Sequence, residues 1–395
     1  MNKRHFFLFL LLFILPFSLP AQPFTKKYLM AFHTCDQPCN GPLDHVVQMA
    51  ESDDGTIWTA VPNFPAYSGS VADPVIRGNK LYIYTPGNVR RYDNSSGTWE
   101  TNPSQVSVVD TNGNPVQFVD PSAFIDSSGN IVLFFLNSTG MTGDPAGCPG
   151  NIYPCIKYFN SAVEIPSSDG TQFVMQPGNR FTVTLQNGTA SDPDIFFDGT
   201  QYIMYISRGQ QTEATYASTL HGTYADFNAL PSGIIVQQGG IGCGFFDNLS
   251  GQYWTYTHTN VSGNTVIRQS VHSGFTSQAT NYTTVITAAL VGLPSTSTAE
   301  SPGICENTFL VSVQENAEFG WNFYPNPFIN EGFLQLKQPV NEARLEILNR
   351  DGKLIRFETV SGSLIAIRRN DLLPGFYYFR IITANNLFCG KFLVL

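Results

Sequence analysis

The 395-residue chain is poor in charge, and above all in positive charge. Charged residues make up 13% of it, and 21 lysines and arginines stand against 30 acidic residues. The imbalance is uneven, since residues 22–320 hold 10 basic and 24 acidic residues, whereas residues 321–395 hold 9 and 6. Nucleic acids and anionic membrane surfaces are bound through basic patches, so the acidic body argues against both as partners. A neutral partner or a cation fits better.

Long apolar runs are absent except near the N-terminus. Residues 6–19 are almost wholly apolar, follow the basic start Lys3, Arg4 and His5, and precede the small residue Ala21. This order is typical of a secretory signal peptide, and the run is shorter than the roughly 20 residues that a membrane span needs. The sequence therefore predicts a signal peptide over residues 1–21 and no transmembrane segment.

Helical periodicity is absent from residues 24–316. Aromatic and β-branched runs alternate there with Gly, Asn, Asp and Ser turns, which predicts an all-β domain. Five repeated units are apparent, and the fifth lacks outer strands that the N-terminal strands could supply. Closing a ring in this way protects sheet edges, so we predict a five-bladed β-propeller over residues 22–316. The units begin at Asp73-Pro74, Asp120-Pro121, Asp192-Pro193, "IGCGFF" near Cys243, and Glu300-Ser301-Pro302.

The Asp-Pro pairs open three of these units. The innermost strand of each propeller blade starts at one mouth of the central channel. Proline favours an extended residue before it and costs little at the start of a strand. We therefore expect the carboxylates of Asp73, Asp120 and Asp192 to converge on one mouth. Two carboxylates about 6.5–9.5 Å apart can hydrolyse a glycosidic bond with inversion, and a third can raise the pKa of the proton donor.

Residues 60–315 resemble the five-bladed glycosidases of glycoside hydrolase family 43, the arabinanases and xylosidases. The resemblance depends on Asp73-Pro74, Asp192-Pro193 and the strand pattern after each. It implies that Asp73 is the general base and that Asp192 tunes the proton donor. The family's general acid is a Glu in the following blade, where this chain has "GGIGCGFF" and no carboxylate. Glu300-Ser301-Pro302 resembles that acid motif one blade later, so Glu300 is the candidate acid.

Three further residues are candidates for substrate binding, namely Asp120, Arg77 and Arg208. The predicted substrate is a polysaccharide. Since the usual acid is missing from its blade, a non-catalytic propeller that binds glycan or protein at the surface is the alternative. A third hypothesis is a structural or adhesive protein whose channel is plugged by apolar side chains. No resident cofactor is expected, although a structural calcium ion in the channel would suit the acidic surplus.

The stretch "ESDDGTIW", residues 51–58, resembles the Asp-box turn of sialidases, which stabilises a blade and takes no part in catalysis. A sialidase also needs three arginines around a carboxylate, and only two arginines of the body, Arg77 and Arg208, lie near inner strands. A sialidase activity is therefore a weaker hypothesis.

Seven cysteines in an exported chain predict disulfides. The predicted pairs are Cys35–Cys39, Cys148–Cys155 and Cys243–Cys305, with Cys389 left over. A zinc site is the alternative for the first pair. Its ligands would be His33, Cys35, Cys39 and His45.

The C-terminal part contains short alternating strands separated by Asp-Gly and Pro-Gly turns, which predicts a small β-sandwich. It resembles the C-terminal sorting domain of the type IX secretion system of Bacteroidetes. The matching elements are Tyr324-Pro325-Asn326-Pro327, Asp351-Gly352-Lys353, Leu372, Gly375-Phe376-Tyr377 and residues 391–395. The resemblance implies a sorting domain over residues 324–395 after a linker at 317–323. It also implies recognition by the secretion machinery and a secreted or cell-surface location, reached through the periplasm and the outer membrane.

Overall fold

The computed structural model describes residues 23–36, 38–39, 41–309, 321–349, 353–370, 372–383 and 387–395. The predicted signal peptide, most of the predicted linker and the turn at Asp351-Gly352 lie outside these residues. The chain divides at residue 310 into two compact units, and each is described by itself.

The first unit consists of five sheets of mostly antiparallel strands. Strands of the closing sheet come first along the chain: β1 (Tyr28–Cys35), β2 (His45–Ser52), β3 (Trp58–Ala60) and β4 (Tyr67–Ser68). Blade 1 contains β5 (Asp73–Arg77), β6 (Lys80–Thr85), β7 (Asn88–Asp93), β8 (Thr98–Trp99) and β9 (Ser104–Gln105). Blade 2 contains β10 (Ser107–Val109), β11 (Pro115–Val116), β12 (Phe118–Ile125), β13 (Ile131–Asn137), β14 (Cys155–Glu164), β15 (Gln172–Met175) and β16 (Phe181–Leu185).

The remaining blades follow in chain order. Blade 3 contains β17 (Ser191–Phe197), β18 (Tyr202–Ser207), β19 (Thr212–Ala217), β20 (Ala225–Asp226) and β21 (Ile234–Val236). Blade 4 contains β22 (Gly240–Asp247), β23 (Gln252–Val261), β24 (Asn264–His272) and β25 (Thr283–Ile286). Blade 5 begins with β26 (Thr298–Glu306). Short 3-10 turns lie at Pro42–Asp44, Pro149–Asn151, Pro231–Gly233 and Ala288–Val291. Among the described residues, no helix is long and apolar enough to cross a membrane.

The N-terminal strands complete the fifth blade, as predicted. Strand β26 pairs antiparallel with β1, which pairs with β2, so the order in this sheet is β26-β1-β2-β3. The five inner strands contact one another in the cyclic order β5, β12, β17, β22, β26 and back to β5. The fold is therefore a closed five-bladed propeller.

Apolar side chains fill the spaces between adjacent blades. Between blades 5 and 4, Tyr28 meets Trp254 edge to face at a centroid distance of 5.0 Å. Between blades 2 and 3, Phe134 and Leu136 pack with Met204 in another buried cluster. Burial of such side chains contributes roughly 1.5–3 kcal/mol each, so blade-to-blade packing is the main source of stability.

Each blade bends at the same point of its inner strand. In blades 2 to 5 the pairing of the inner strand with the next strand shifts register there. The first residue of each bend has a positive φ, a conformation that is uncommon outside glycine. These residues are Val71, Asp120, Asp192, Ile241 and Ser301, with φ from 43° to 54°. We call them the mouth-bulge residues, and they define equivalent positions in the five blades.

The expectation that the three Asp-Pro pairs are equivalent is wrong. Asp120 and Asp192 occupy the mouth bulge, whereas Asp73 lies two residues beyond the mouth-bulge residue of its own blade, Val71. Its counterparts in blades 2 and 3 are Ser122 and Asp194. The expectation of an extended acid before proline is also wrong for Asp120 and Asp192, because both have a left-handed φ.

Two of the predicted disulfides are present, Cys35–Cys39 and Cys148–Cys155. The predicted Cys243–Cys305 bond is wrong, since both thiols are free. Cys243 packs among Tyr28 and Met30 on one face of blade 5, whereas Cys305 faces the cluster between blades 5 and 1. The sheet of blade 5 separates them. With Cys35 and Cys39 oxidised, the predicted zinc site lacks its two thiolates.

The second unit is a single antiparallel sheet of five strands, arranged β27-β28-β30-β31 with β29 also paired to β28. The strands are β27 (Trp321–Tyr324), β28 (Glu331–Asn349), β29 (Leu354–Arg368), β30 (Gly375–Ile382) and β31 (Leu387–Val394). Register shifts after Gln335 and Val340 interrupt the long β28. Leu345, Phe379 and Phe392 are among its fully buried core residues. The sequence predicts a small β-sandwich for this unit, and the unit is all-β, with its five strands in one hydrogen-bonded sheet.

Candidate functional site

A cavity of about 430 Å³ lies at the mouth where the inner strands bend. The mouth-bulge residues of all five blades border it, together with residues from neighbouring strands and loops. Its titratable side chains are Asp120, Asp144, Asp192, Glu300, His33 and His45. Of the three predicted catalytic residues, Asp192 and Glu300 line this mouth cavity and Asp73 does not. A cavity lined by acids contradicts the hypothesis of a mouth filled by apolar side chains.

Asp120, which is partly buried, and Asp192, which is buried, form a carboxyl pair on adjacent blades. Burial raises the pKa of Asp120 well above its ordinary value, and the nearby Asp192 carboxylate raises it further. Burial also raises the pKa of Asp192, to about 6, while the Ser191 hydroxyl donates a hydrogen bond of 2.5 Å to it. Asp144 adds negative charge near both. Both pKa values are thus raised, that of Asp120 by burial and by the charge of Asp192, and that of Asp192 mainly by burial.

Asp73 lies deeper, at a neck of about 20 Å³ where the channel narrows below the mouth cavity. The backbone N–H of Ala123, on the inner strand of blade 2, donates a 2.5 Å hydrogen bond to its carboxylate. Ala123 is the residue after Ser122, the position in blade 2 that corresponds to Asp73. Asp73 thus links neighbouring inner strands.

The same link recurs in the next two blades. The N–H of Ile195 donates to Ser122 Oγ at 3.1 Å, and the N–H of Gly244 donates to Asp194 Oδ2 at 2.8 Å. These hydrogen bonds give the acids at the Asp73 and Asp194 positions a structural role. Below the neck a second cavity of about 380 Å³ has aromatic walls that include Phe196 and Phe245.

Glu300 is surrounded by histidines. Its Oε2 lies 3.5 Å from His33 Nε2 and 3.9 Å from His258 Nδ1. The ring of His45 stacks on that of His33 at a centroid distance of 4.1 Å. Burial lowers the pKa of His258 to about 4 and, together with His33, that of His45 to about 4. Both imidazoles are therefore neutral at pH 7, the form in which imidazole binds metals.

Neither arginine predicted to bind substrate lines the mouth cavity, the neck or the aromatic cavity. Arg77 pairs with the buried Glu164 of blade 2, and its other nitrogen bonds the hydroxyl of Tyr82 at 2.9 Å. Arg208 pairs with the buried Glu213 of its own blade at 2.7 Å. Both guanidinium groups thus serve to neutralise buried glutamates, which also weakens the sialidase hypothesis.

The Asp-box-like stretch also has a structural role. Asp54 Oδ1 accepts hydrogen bonds of 2.8 Å from the N–H groups of Thr56 and Ile57, and Trp58 Nε1 donates to the carbonyl of Gly55. These bonds shape the turn between β2 and β3.

Sequence reasoning missed Asp144. This residue lies on the long loop between β13 and β14, near a disulfide and a buried lysine. Lys157 is fully buried, and its Nζ donates to the carbonyls of Pro145, at 2.7 Å, and Gly147. The Cys148–Cys155 bond closes the same segment. An acid within a loop carries no periodic signal, but the nearby cysteine pair does mark a constrained loop.

Comparison with known families assigns the C-terminal unit. Residues 322–395 match the secretion system C-terminal sorting domain family. This confirms the predicted type IX sorting domain, so the protein is exported to the cell surface or secreted. No curated protein matches the chain.

Several solved structures resemble the chain at low identity. An endo-1,4-β-xylanase from Bacteroides thetaiotaomicron is 13% identical with a TM-score of 0.40, over 65% of this chain and 91% of that one. An endo-arabinase from the same organism is 15% identical with a TM-score of 0.41, over 63% and 91%. A family 43 glycoside hydrolase from Bacillus licheniformis is 12% identical with a TM-score of 0.39, over 92% and 97%. Similarities this distant do not assign an activity.

Proposed function

We propose that the protein is a secreted carbohydrate-active propeller that takes a polysaccharide chain into the mouth cavity and hydrolyses a glycosidic bond there. The observation that carries the proposal is the carboxyl pair of Asp120 and Asp192 on the wall of the cavity. Two carboxyl groups whose surroundings push their pKa values apart are the groups that acid and base chemistry at neutral pH requires.

The two acids take different roles in this proposal. Asp120, whose pKa is raised by burial and by the charge of Asp192, protonates the leaving oxygen of the glycosidic bond. Asp192 stabilises the positive charge that develops on the sugar as this bond breaks, and a water molecule then adds to the sugar carbon and returns a proton to Asp120. This assignment replaces Asp73 as a catalytic residue, since the Asp73 carboxylate is already hydrogen-bonded to the next blade.

Glycan binding without hydrolysis is the second candidate. This candidate is favoured because two of the five mouth-bulge residues, Val71 and Ile241, have apolar side chains. In this case Asp120 and Asp192 would accept and donate hydrogen bonds to sugar hydroxyls without completing a reaction.

The test is hydrolysis of arabinan, xylan and aryl glycosides by the purified full chain, measured by release of reducing sugar or phenol. Asp120→Asn should lower kcat by about 10²- to 10⁴-fold, the usual effect of losing a general acid. Asp126→Asn is the matched control, because Asp126 lies in the hairpin turn that follows β12 and accepts hydrogen bonds that an Asn can also accept. Equal loss in both variants, or undiminished activity in Asp120→Asn, would overturn the assignment. Glycan binding without turnover would favour the second candidate.

A further inference from the structure

Glu300 borders the mouth cavity but has no part in the proposed hydrolysis. It lies on the inner strand of blade 5, one residue before the mouth-bulge residue Ser301, and its side chain is 20% exposed. Its partner across the sheet is His33 of β1. The resemblance to family 43 enzymes makes Glu300 a candidate proton donor, and its surroundings bear on that role.

His33 directs a proton at Glu300. The backbone N–H of Val71, the mouth-bulge residue of blade 1, donates to His33 Nδ1 at 3.2 Å, so the proton of the neutral ring is on Nε2. His33 Nε2 lies 3.5 Å from Glu300 Oε2. The ring of His45 stacks on that of His33 at a centroid distance of 4.1 Å, which limits rotation of His33. Val71, His33 and Glu300 thus form a chain of contacts from blade 1 to the wall of the mouth cavity.

These contacts favour the carboxylate form of Glu300. Burial by itself would raise the pKa of Glu300, but the contact with His33 and the nearby His258 outweigh burial and lower the pKa to about 2. A group that has lost its proton at neutral pH cannot supply one to a leaving oxygen. Glu300 can instead accept hydrogen bonds, and those to a charged group are stronger than those between neutral groups.

The other side chains around the cavity indicate which groups Glu300 can meet there. The cavity has the acids Asp120, Asp144 and Asp192 besides Glu300, and no lysine or arginine is among the described residues that line it. A carboxylate or sulfate on a ligand would find no cationic partner and would face several acids. Hydroxyl groups, by contrast, donate hydrogen bonds to a carboxylate, and an uncharged sugar has several of them.

We propose that Glu300, oriented by His33, is a glycan-binding residue that accepts hydrogen bonds from hydroxyl groups of an uncharged sugar in the mouth cavity. This inference rests on the proposed function, because it requires that a glycan enters this cavity. Glu300 then holds the sugar in place and does not transfer a proton. His33 is a positioning residue, since it acts on the sugar through Glu300.

The first experiment tests the class of sugar without any variant. Binding is measured by surface plasmon resonance on the immobilised full-length protein, with arabinan, xylan, galactan and mannan as uncharged probes and polygalacturonate as the charged one. At least one uncharged polymer should bind the wild type. Polygalacturonate should bind roughly tenfold more weakly or less, because its carboxylates meet like charges in the cavity. Equal or tighter binding of polygalacturonate would contradict an uncharged ligand.

The second experiment uses the uncharged polymer that binds. Glu300→Gln should weaken its binding by about 10- to 100-fold, the usual effect of losing hydrogen bonds to a charged group. Glu306→Gln is the matched control, because Glu306 ends the same strand and borders the aromatic cavity below the neck. His221→Gln is the control for histidine, because His221 contacts Ser161 in blade 2. Both controls should bind as the wild type does.

The role of His33 is tested by two substitutions. His33→Leu should weaken binding, whereas His33→Gln, which keeps a donor for Glu300, should weaken it less. When Glu300→Gln is already present, adding His33→Leu should weaken binding no further, because His33 acts through Glu300. Additive losses in the double variant would show that His33 acts on the sugar or on the fold by another route.

Kinetics and binding together distinguish this inference from the proposed hydrolysis. Where a polymer is hydrolysed, Glu300→Gln should raise KM and leave kcat within about threefold. Loss of a proton donor would instead lower kcat by about 10²- to 10⁴-fold. Such a fall in kcat, or binding in Glu300→Gln as tight as in Glu306→Gln, would overturn the inference and leave a carbohydrate-active protein in place. Binding of none of the polymers by the wild type would overturn the proposed function, and this inference with it.

Discussion

The carboxylate of Asp73 accepts a 2.5 Å hydrogen bond from the backbone N–H of Ala123, and this bond joins the inner strands of two blades. Asp194 makes the corresponding bond to Gly244 of the next blade at 2.8 Å. Inner strands of a propeller do not pair with one another as a sheet does, so their backbone N–H groups at the axis need other acceptors. The side chains of Asp73, Ser122 and Asp194 supply these acceptors.

Removal of this acceptor should destabilise the ring. In Asp73→Ala the buried N–H of Ala123 loses its partner, which costs about 1–3 kcal/mol. Asp73→Asn keeps an acceptor oxygen and should lose less. Urea unfolding followed by tryptophan fluorescence would measure both. Equal stability of Asp73→Ala and the wild type would show that the bond contributes nothing.

The pH dependence of stability should reveal the buried acids. Burial raises the pKa of Asp73 from its ordinary value of 3.8 to about 7, and that of Asp192 to about 6. A raised pKa means that the folded state binds the proton more tightly than the unfolded chain. The stabilisation is therefore complete below about pH 4 and is lost as the pH rises to about 7.

Asp73→Asn isolates this contribution, because the variant cannot titrate at residue 73. The wild type should lose more free energy of unfolding between pH 4 and pH 7.5 than Asp73→Asn does, as measured by urea unfolding at each pH. Parallel pH profiles for the two proteins would contradict the raised pKa. Asp126→Asn, the same substitution in the hairpin turn after β12, is the matched control for an Asp-to-Asn change outside the channel.

The architecture of the propeller was predictable because its signals are local. Alternating strands and turn residues mark each blade, and the missing outer strands of the last unit indicate closure by the N-terminus. The register of Asp73 was not recognised, although the sequence contains the clue. Asp73 precedes its turn glycine, Gly78, by five residues, whereas Asp192 precedes Gly199 by seven. The two-residue difference is the offset that the structure shows.

The site was only partly predictable, because its residues meet through tertiary structure. Asp192 and Glu300 were identified from Asp-Pro and Glu-Ser-Pro motifs at repeated positions. Asp144 comes from a loop without periodicity, and the contact of His258 with Glu300 depends on the packing of blade 4 against blade 5. The prediction of a Cys243–Cys305 disulfide is wrong for a related reason, because the spacing of two cysteines in the sequence does not show that a sheet lies between their side chains.

The thiol count should distinguish the two cysteine arrangements. Cys243, Cys305 and Cys389 are free, and the other four cysteines form two disulfides. Alkylation of the denatured, unreduced protein should therefore modify three thiols, and alkylation after reduction should modify four more in a chain that retains all seven. Intact mass spectrometry gives the number directly. A single modified thiol before reduction would restore the Cys243–Cys305 bond.

Lys157 should affect the pKa values of Asp120 and Asp192, because it holds in place the loop that carries Asp144. Its buried ammonium donates to the carbonyls of Pro145 and Gly147, on either side of the segment that follows Asp144. Lys157→Met keeps most of the side-chain volume but leaves these carbonyls unpaired, which should cost about 1–3 kcal/mol of stability. The freed loop should also be cut faster by protease near residues 141–148, as mapped by mass spectrometry.

Because Asp144 adds negative charge near Asp120 and Asp192, its displacement should lower the pKa of both. If hydrolysis is observed, the acid limb of its pH profile should move to lower pH in Lys157→Met, as it should in Asp144→Asn. A profile that stays in place in Asp144→Asn would show that this charge does not act on the pair.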